Sequence, residues 1–162
     1  MDYVPAHLLR PARLDEVTGP AIVLPEPGRE DAFLVTGGEQ PYVCFIGGRH
    51  TGDGFLKEKA ARWSGLAIEG VAFEVDADSA FRPAVIDQPL GAVIRAGTEL
   101  QVYVGTTEGH GFKEATPVTL LGDLSASTSP IEVGFKKWRA VVGEGTNRLI
   151  VFEFEATKTA NI

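Results

Sequence analysis

The chain has one cysteine and three histidines among its 162 residues, and these two scarcities remove whole classes of chemistry. A lone Cys44 excludes an intrachain disulfide and any zinc site built from several thiolates. It lies in the apolar run Tyr42-Val43-Cys44-Phe45-Ile46, where a small buried hydrophobe is the expected role. No stretch approaches eighteen consecutive apolar residues, so no membrane-spanning helix is expected. The first seventeen residues, MDYVPAHLLRPARLDEV, have neither the apolar core nor the small-residue cleavage site of a secretory signal. Positive charge is also short. A formal net charge of −7 repels phosphate backbones, so no nucleic-acid partner is expected.

Catalytic motifs are missing as well. There is no G-x-S-x-G elbow for a nucleophilic serine. The glycine-rich run from Gly47 to Gly54 lacks the G-K-[ST] ending of a phosphate loop. Carboxylates two apart, Asp76 with Asp78 and Glu153 with Glu155, share a face of an extended chain. That spacing suits an acid–base pair only in a cleft; on a surface strand, such acids guard against sheet-to-sheet association.

What is abundant is turn chemistry: nineteen glycines and ten prolines punctuate short apolar runs. Strands are expected at Ala21 to Leu24, Ala32 to Val35, Tyr42 to Ile46, and on both sides of Gly70. Leu66 and Ile68 are out of step by one with Val71, Phe73 and Val75, so a bulge or break is expected near Gly70. Further strands are expected at Phe81 to Ile86, Gly91 to Arg95, Thr98 to Val104, Val118 to Leu121, Ile131 to Phe135, Trp138 to Val142 and Asn147 to Glu155. In the Thr98 run, Leu100, Val102 and Val104 are expected inward, with Gln101 and Tyr103 outward. Good helix formers between Phe55 and Arg62, with Asp53 as a cap, predict one short helix near 54–62.

The fold class is therefore all-β, a mainly antiparallel sandwich or barrel. Residues 1–19 form a proline-bearing N-terminal arm, and 20–162 form a single β domain. Leu8 and Leu9 could anchor the arm on a partner, flanked by Arg10 and Arg13; the alternative is a segment lying across its own domain. Trp63 and Trp138, with Tyr3, Tyr42 and Tyr103, could form a sugar- or peptide-binding platform. Trp138 sits among Lys136, Lys137 and Arg139, a mixture found in interface anchors, and it would serve equally well in a core.

Two similar loops, GGRHTGDGF and TEGHGF, place His50, Asp53, Glu108 and His110 among glycines. If the loops met, these four could ligate a divalent metal; otherwise they are turns with exposed histidines. No cofactor is expected.

In organisation, the arm MDYVPAHLLRPARLDEV leading into a body that contains GAVIRAGTELQVYVGTT resembles the small head-decoration (cement) proteins of tailed bacteriophages. The resemblance implies a non-enzymatic assembly protein: a homo-oligomer, in that family a trimer, on the virion surface. There its arm would add a strand to a major capsid protein. Without the resemblance, a cytoplasmic location is expected. The alternatives are a carbohydrate- or protein-binding β module and a small metal-dependent, cupin-like β-barrel enzyme.

Overall fold

The computed structural model describes residues 3–83, 88–106, 114–121 and 132–159. In chain order the strands are Arg10–Arg13 (β1), Ala21–Leu24 (β2), Ala32–Val35 (β3), Tyr42–Gly47 (β4), Gly54–Leu56 (β5), Ser64–Glu69 (β6) and Ala72–Val75 (β7). They continue with Ala80–Phe81 (β8), Val93–Ala96 (β9), Glu99–Thr106 (β10), Glu114–Thr119 (β11), Glu132–Phe135 (β12), Lys137–Val142 (β13) and Leu149–Glu155 (β14). The fold is all-β, and every ladder between these strands is antiparallel.

The first sheet has six strands in the order β1-β6-β2-β3-β4-β5. Its central strands are apolar on both faces because both faces are covered. Ile22, Leu34, Cys44 and Ile68 point into the main core, shared with Val93, Val102, Val104, Val118, Trp138 and Phe154 of the other strands. The alternate residues Val23, Phe33, Val35, Val43, Phe45 and Ala67 point the other way, into a second core with Leu14, Val17 and Ala60.

The second layer consists of two sheets, β11-β10-β9-β12-β8 and β14-β13-β7. They act as one bent layer: β12 is separated from β13 by Lys136 alone, and β7 from β8 by a 3-10 turn at Ala77–Ser79. The two layers also meet at a corner. There Gly105 N–H donates to Gly52 C=O at 2.7 Å, beside a parallel bridge from Asp53 to Gly105.

Gly70 marks the change of sheet between β6 and β7, at a positive φ of 73° that a glycine adopts without strain. The expected break is present, and it is larger than a bulge: the chain leaves one layer for the other. A short helix does lie within 54–62, but it is a single 3-10 turn and not two α-helical turns. The start of that range is β5, and only Lys57–Lys59 makes the 3-10 turn. Ladder pairing of Phe55 with Val43 takes precedence over local helix propensity.

Gln101 and Tyr103, expected outward, are 2% and 5% exposed, so β10 too is covered on both faces. Among the described residues the Gln101 Nε2 has no hydrogen-bond partner. The strand expected over Phe81 to Ile86 is described only at Ala80–Phe81; residues 84–87 lie outside the described set.

Of the two readings for residues 1–19, the structure has the segment lying across its own domain. β1 pairs with β6 from Arg10↔Ala67 to Arg13↔Ser64. Leu14 and Val17 are fully buried, and the Lys57 ammonium donates to the Val17 carbonyl at 2.8 Å. The arm covers an apolar sheet face that would otherwise meet water. Leu14→Ala is therefore expected to lower unfolding free energy by about 2–5 kcal/mol in urea titrations. A change under about 0.5 kcal/mol, the range of neutral surface substitutions, would mean that the segment is not part of the core.

Candidate functional site: a charged groove on the three-stranded sheet

Three strands of the second layer share one sequence habit. Charged residues alternate with large apolar ones: Glu74 and Asp76 flank Val75, Lys137 and Arg139 flank Trp138, and Glu153 and Glu155 flank Phe154. Period-two alternation sends Trp138 and Phe154 into the core, leaves Val75 partly exposed at the sheet edge, and puts the charged set on one outer face. The ladder then aligns them. Arg139 is in register with Glu74 on one side and Glu153 on the other, while Lys137 is in register with Glu155. These six charged residues, with Val75, Trp138 and Phe154, line a groove of about 610 Å³.

The Trp138 ring lies beneath this groove, on the core side of the sheet, and is not a free anchor. It is 3% exposed, its Nε1 donates to Gly91 C=O at 2.8 Å, and Phe154 stacks on it at 5.1 Å between centroids. Gly91 is required there: a Cβ would lie 2.4 Å from the Phe154 ring. The expectation of Trp138 as a partner-binding side chain is corrected, because burial against Phe73 and Phe154 leaves it no surface to offer.

Glu74 is the electrostatic centre of the face. Arg139 Nε donates to its Oε1 at 2.8 Å, Arg148 Nε donates to its Oε2 at 2.6 Å, and Arg148 Nη2 adds a short contact to Oε1. Arg148 reaches this side because of an irregularity in β14. The register passes from Ala140↔Phe152 to Val141↔Ile150, leaving Val151 as an extra residue. Arg148 and Glu153 are an odd number of positions apart, so without that bulge they would face opposite sides. The Arg148 guanidinium first, and then that of Arg139, holds the Glu74 carboxyl down at about 2. That is the opposite of a general acid, which needs a raised pKa. The arrangement presents fixed charge of alternating sign.

The other sequence candidates lie elsewhere. Leu8 and Leu9 are half-buried against the main core of their own chain. Arg10 pairs with Glu69 at 2.9 Å, and Arg13 pairs with Asp15 and Glu16 at 3.2 and 3.1 Å. All four are therefore engaged within the fold. The aromatic platform is not assembled either: Tyr42 and Tyr103 are buried, and Tyr3 is exposed.

Trp63 is half-buried on the opposite side of the first sheet, at 5.3 Å from the Phe45 ring, with the Arg62 guanidinium 5.1 Å over its face. It lines a smaller pocket of about 170 Å³ with Arg29, Asp31, Phe33, Arg62 and Ser64.

Of the metal candidates, His50 and Asp53 share one turn, where Asp53 N–H donates to His50 C=O at 3.0 Å. The exposed His50 ring rests 5.4 Å from Phe45. Glu108 and His110 lie outside the described residues, and among the described residues no group of three potential ligands converges. Cys44 is wholly buried; burial first, then the charge of Asp53, pushes its thiol up to about 12. A thiol so placed does not supply a thiolate nucleophile.

The family described as "Uncharacterised protein y4lG" matches residues 11–161. The chain belongs to the Y4lG family. It is similar to a Sinorhizobium fredii (strain NBRC 101917 / NGR234) protein titled "Uncharacterized protein y4lG". The two are 29% identical over 145 residues, covering 86% of this chain and 88% of the other. No solved structure matches. The match to the Y4lG family spans every strand of both layers except the first residue of β1, and so includes the whole groove.

Of the six charged groove residues, Asp76, Lys137, Arg139, Glu153 and Glu155 stand out in the sequence, though not as one face, and Glu74 does not. The signal that joins them is charge–apolar–charge alternation in three separate segments, which marks one apolar and one charged face. A pH titration checks the centre of this site. Glu74 has a folded pKa depressed from 4.5 to about 2, so its contribution to stability is present above 4.5 and lost as pH falls toward 2. Urea midpoints should fall across that window in the native chain, and Glu74→Gln should remove part of that fall. An unchanged pH profile in the variant would show that the arginines do not hold this carboxylate.

Proposed function

We propose that this Y4lG-family chain is a non-enzymatic assembly protein that holds another protein through the charged groove of β7, β13 and β14. One observation carries the reading: the groove presents ordered charges of opposite sign on strands held from beneath by a rigid aromatic layer, Trp138 on Phe154. A buried aromatic layer fixes the strands, and the charges above it select a complementary surface. The rows are open to solvent, with side chains of Lys137 and Arg139 50% and 41% exposed, so their charge is available to a partner.

Capsid decoration is the specific form of this proposal, with a major capsid protein as partner and a trimer as oligomer. What supports it is the organisation of the chain, a β body with a proline-bearing N-terminal segment. In that form the groove, not the arm, would carry the contact, because Leu14 and Val17 tie the arm into its own fold.

The test is sedimentation of the epitope-tagged chain in extracts of its source cells. The native chain should travel with a complex much heavier than its own 17.3 kDa. The double variant Asp76→Arg with Lys137→Glu, which reverses two of the three charges in one row, should shift to the top of the gradient while keeping its circular-dichroism spectrum. A native chain that sediments as a free monomer would sink the proposal, as would an unshifted double variant.

A further inference from the structure

We infer that the outer edge of β14 accepts an extended polypeptide segment that carries lysine or arginine at alternate positions. The inference rests on the partner-holding reading and names the chemistry of the partner.

Ladder parity shows which backbone groups face outward. Ala156 N–H donates to Lys136 C=O at 2.8 Å, so Ala156, Phe154 and Phe152 direct their main-chain groups toward β13. Glu153 and Glu155 direct theirs away from it. The far side of β13 agrees, since Asp76 N–H donates to Lys137 C=O at 3.0 Å. β14 ends its sheet, and among the described residues no turn or loop hydrogen bond reaches the main chain of Glu153 or Glu155. Among the described residues, two donor–acceptor pairs of the edge are left for another strand.

Two other sheet edges are blunted by proline. β1 contains Pro11 between Arg10 and Arg13, and β11 contains Pro117; neither proline has an N–H to offer. β14 runs seven residues, LIVFEFE, without a proline. Past the bulge at Val151, its guard is charge, and that guard is selective.

The charges define the occupant. Across the strands, one row reads Glu74, Arg139, Glu153, and the next reads Asp76, Lys137, Glu155. Each row ends on a carboxylate at the open edge. Glu155 reaches Lys137 only at 4.0 Å, and Glu153 forms no ion pair among the described residues. A strand added there continues both rows if it places cations beside Glu153 and Glu155, and residues two apart on one strand do so. A second copy of this chain does not fit. Antiparallel pairing of β14 with itself, in the registers that use these free groups, sets glutamates against glutamates, and like charges opposed on neighbouring strands destabilise the pair.

The probe is a fluorescein-labelled synthetic peptide of alternating lysine and valine, followed by anisotropy against the full chain at low salt. Two controls separate charge from strand addition. One set of peptides is N-methylated at alternate nitrogens, in both possible phases, and an acidic peptide replaces lysine with glutamate. The basic peptide should bind saturably. At least one N-methylated phase should weaken binding about tenfold or more, and the acidic peptide should not bind.

The double variant Glu153→Gln with Glu155→Gln, checked by circular dichroism, should also lose about tenfold. Equal binding by both methylated phases would reduce the contact to charge attraction and overturn the inference. So would an unaffected double variant, or no saturable binding of the basic peptide. If the peptide fails while the Asp76→Arg with Lys137→Glu variant still loses its heavy complex, strand addition is wrong and the partner-holding reading stands. A native chain that sediments as a free monomer takes that reading down as well.

Discussion

Strands β2, β3 and β4 send apolar side chains to both faces of their sheet, so water has to be excluded from both. Ile22, Leu34 and Cys44 on one side, and Val23, Phe33 and Val43 on the other, are all at most 1% exposed. Covering one face needs a whole second layer; covering the other needs only a strap. Leu14 and Val17 provide that strap, with Ala60 and Trp63 closing it from the far side of β5. The N-terminal segment is thereby spent on the fold. At about 25 cal/mol per Å² of apolar surface removed from water, exposing that face again would cost more than an arm's contact with a partner would return.

The second layer cannot be flat, because it must follow a twisted sheet and still close against it at one corner. It solves this by bending at Lys136 and at the turn Ala77–Ser79, which divides it into a five-stranded and a three-stranded part. In the smaller part the inner face is aromatic, with Phe73, Trp138, Phe152 and Phe154 packed together. With the inner face filled, the outer face of the same three strands is left for charge. The bulge at Val151 brings Arg148 round to that face, so Glu74 is held by two guanidiniums, one from β13 and one from the residue that leads into β14. Groove and core are two sides of one set of alternating residues.

That alternation explains how much was legible in the sequence. Strands β2 and β3 were read at their true bounds because each is a four-residue apolar run closed by turn residues or an Asp. The break at Gly70 was legible from the slip in phase between Ile68 and Val71. Its meaning, a change of layer, was not, since phase alone does not report which sheet a strand joins. The polarity of Gln101 and Tyr103 points them outward in a simple alternation; a strand covered on both sides violates that rule. Trp138 was ambiguous for a similar reason: its basic neighbours point to the face opposite its own. The rows of the groove were illegible one strand at a time. Register between segments more than sixty residues apart decides them, and register is a property of the assembled sheet.

Stability and recognition draw on different residues in this arrangement. The terms that hold the two layers together are apolar and sit under both sheets, whereas the charges on β7, β13 and β14 lie in solvent, where an exposed ion pair adds about 0–1 kcal/mol. Inverting a charge row therefore changes the potential of the face far more than it changes the fold. Glu74 is the exception, because its two arginines tie β7 to the start of β14 and so link the face to the packing beneath it. A face whose signs can be altered without unfolding the body can change partners by surface substitution alone. The open edge of β14 lies beside that face, and its glutamates set the sign of any strand that joins it.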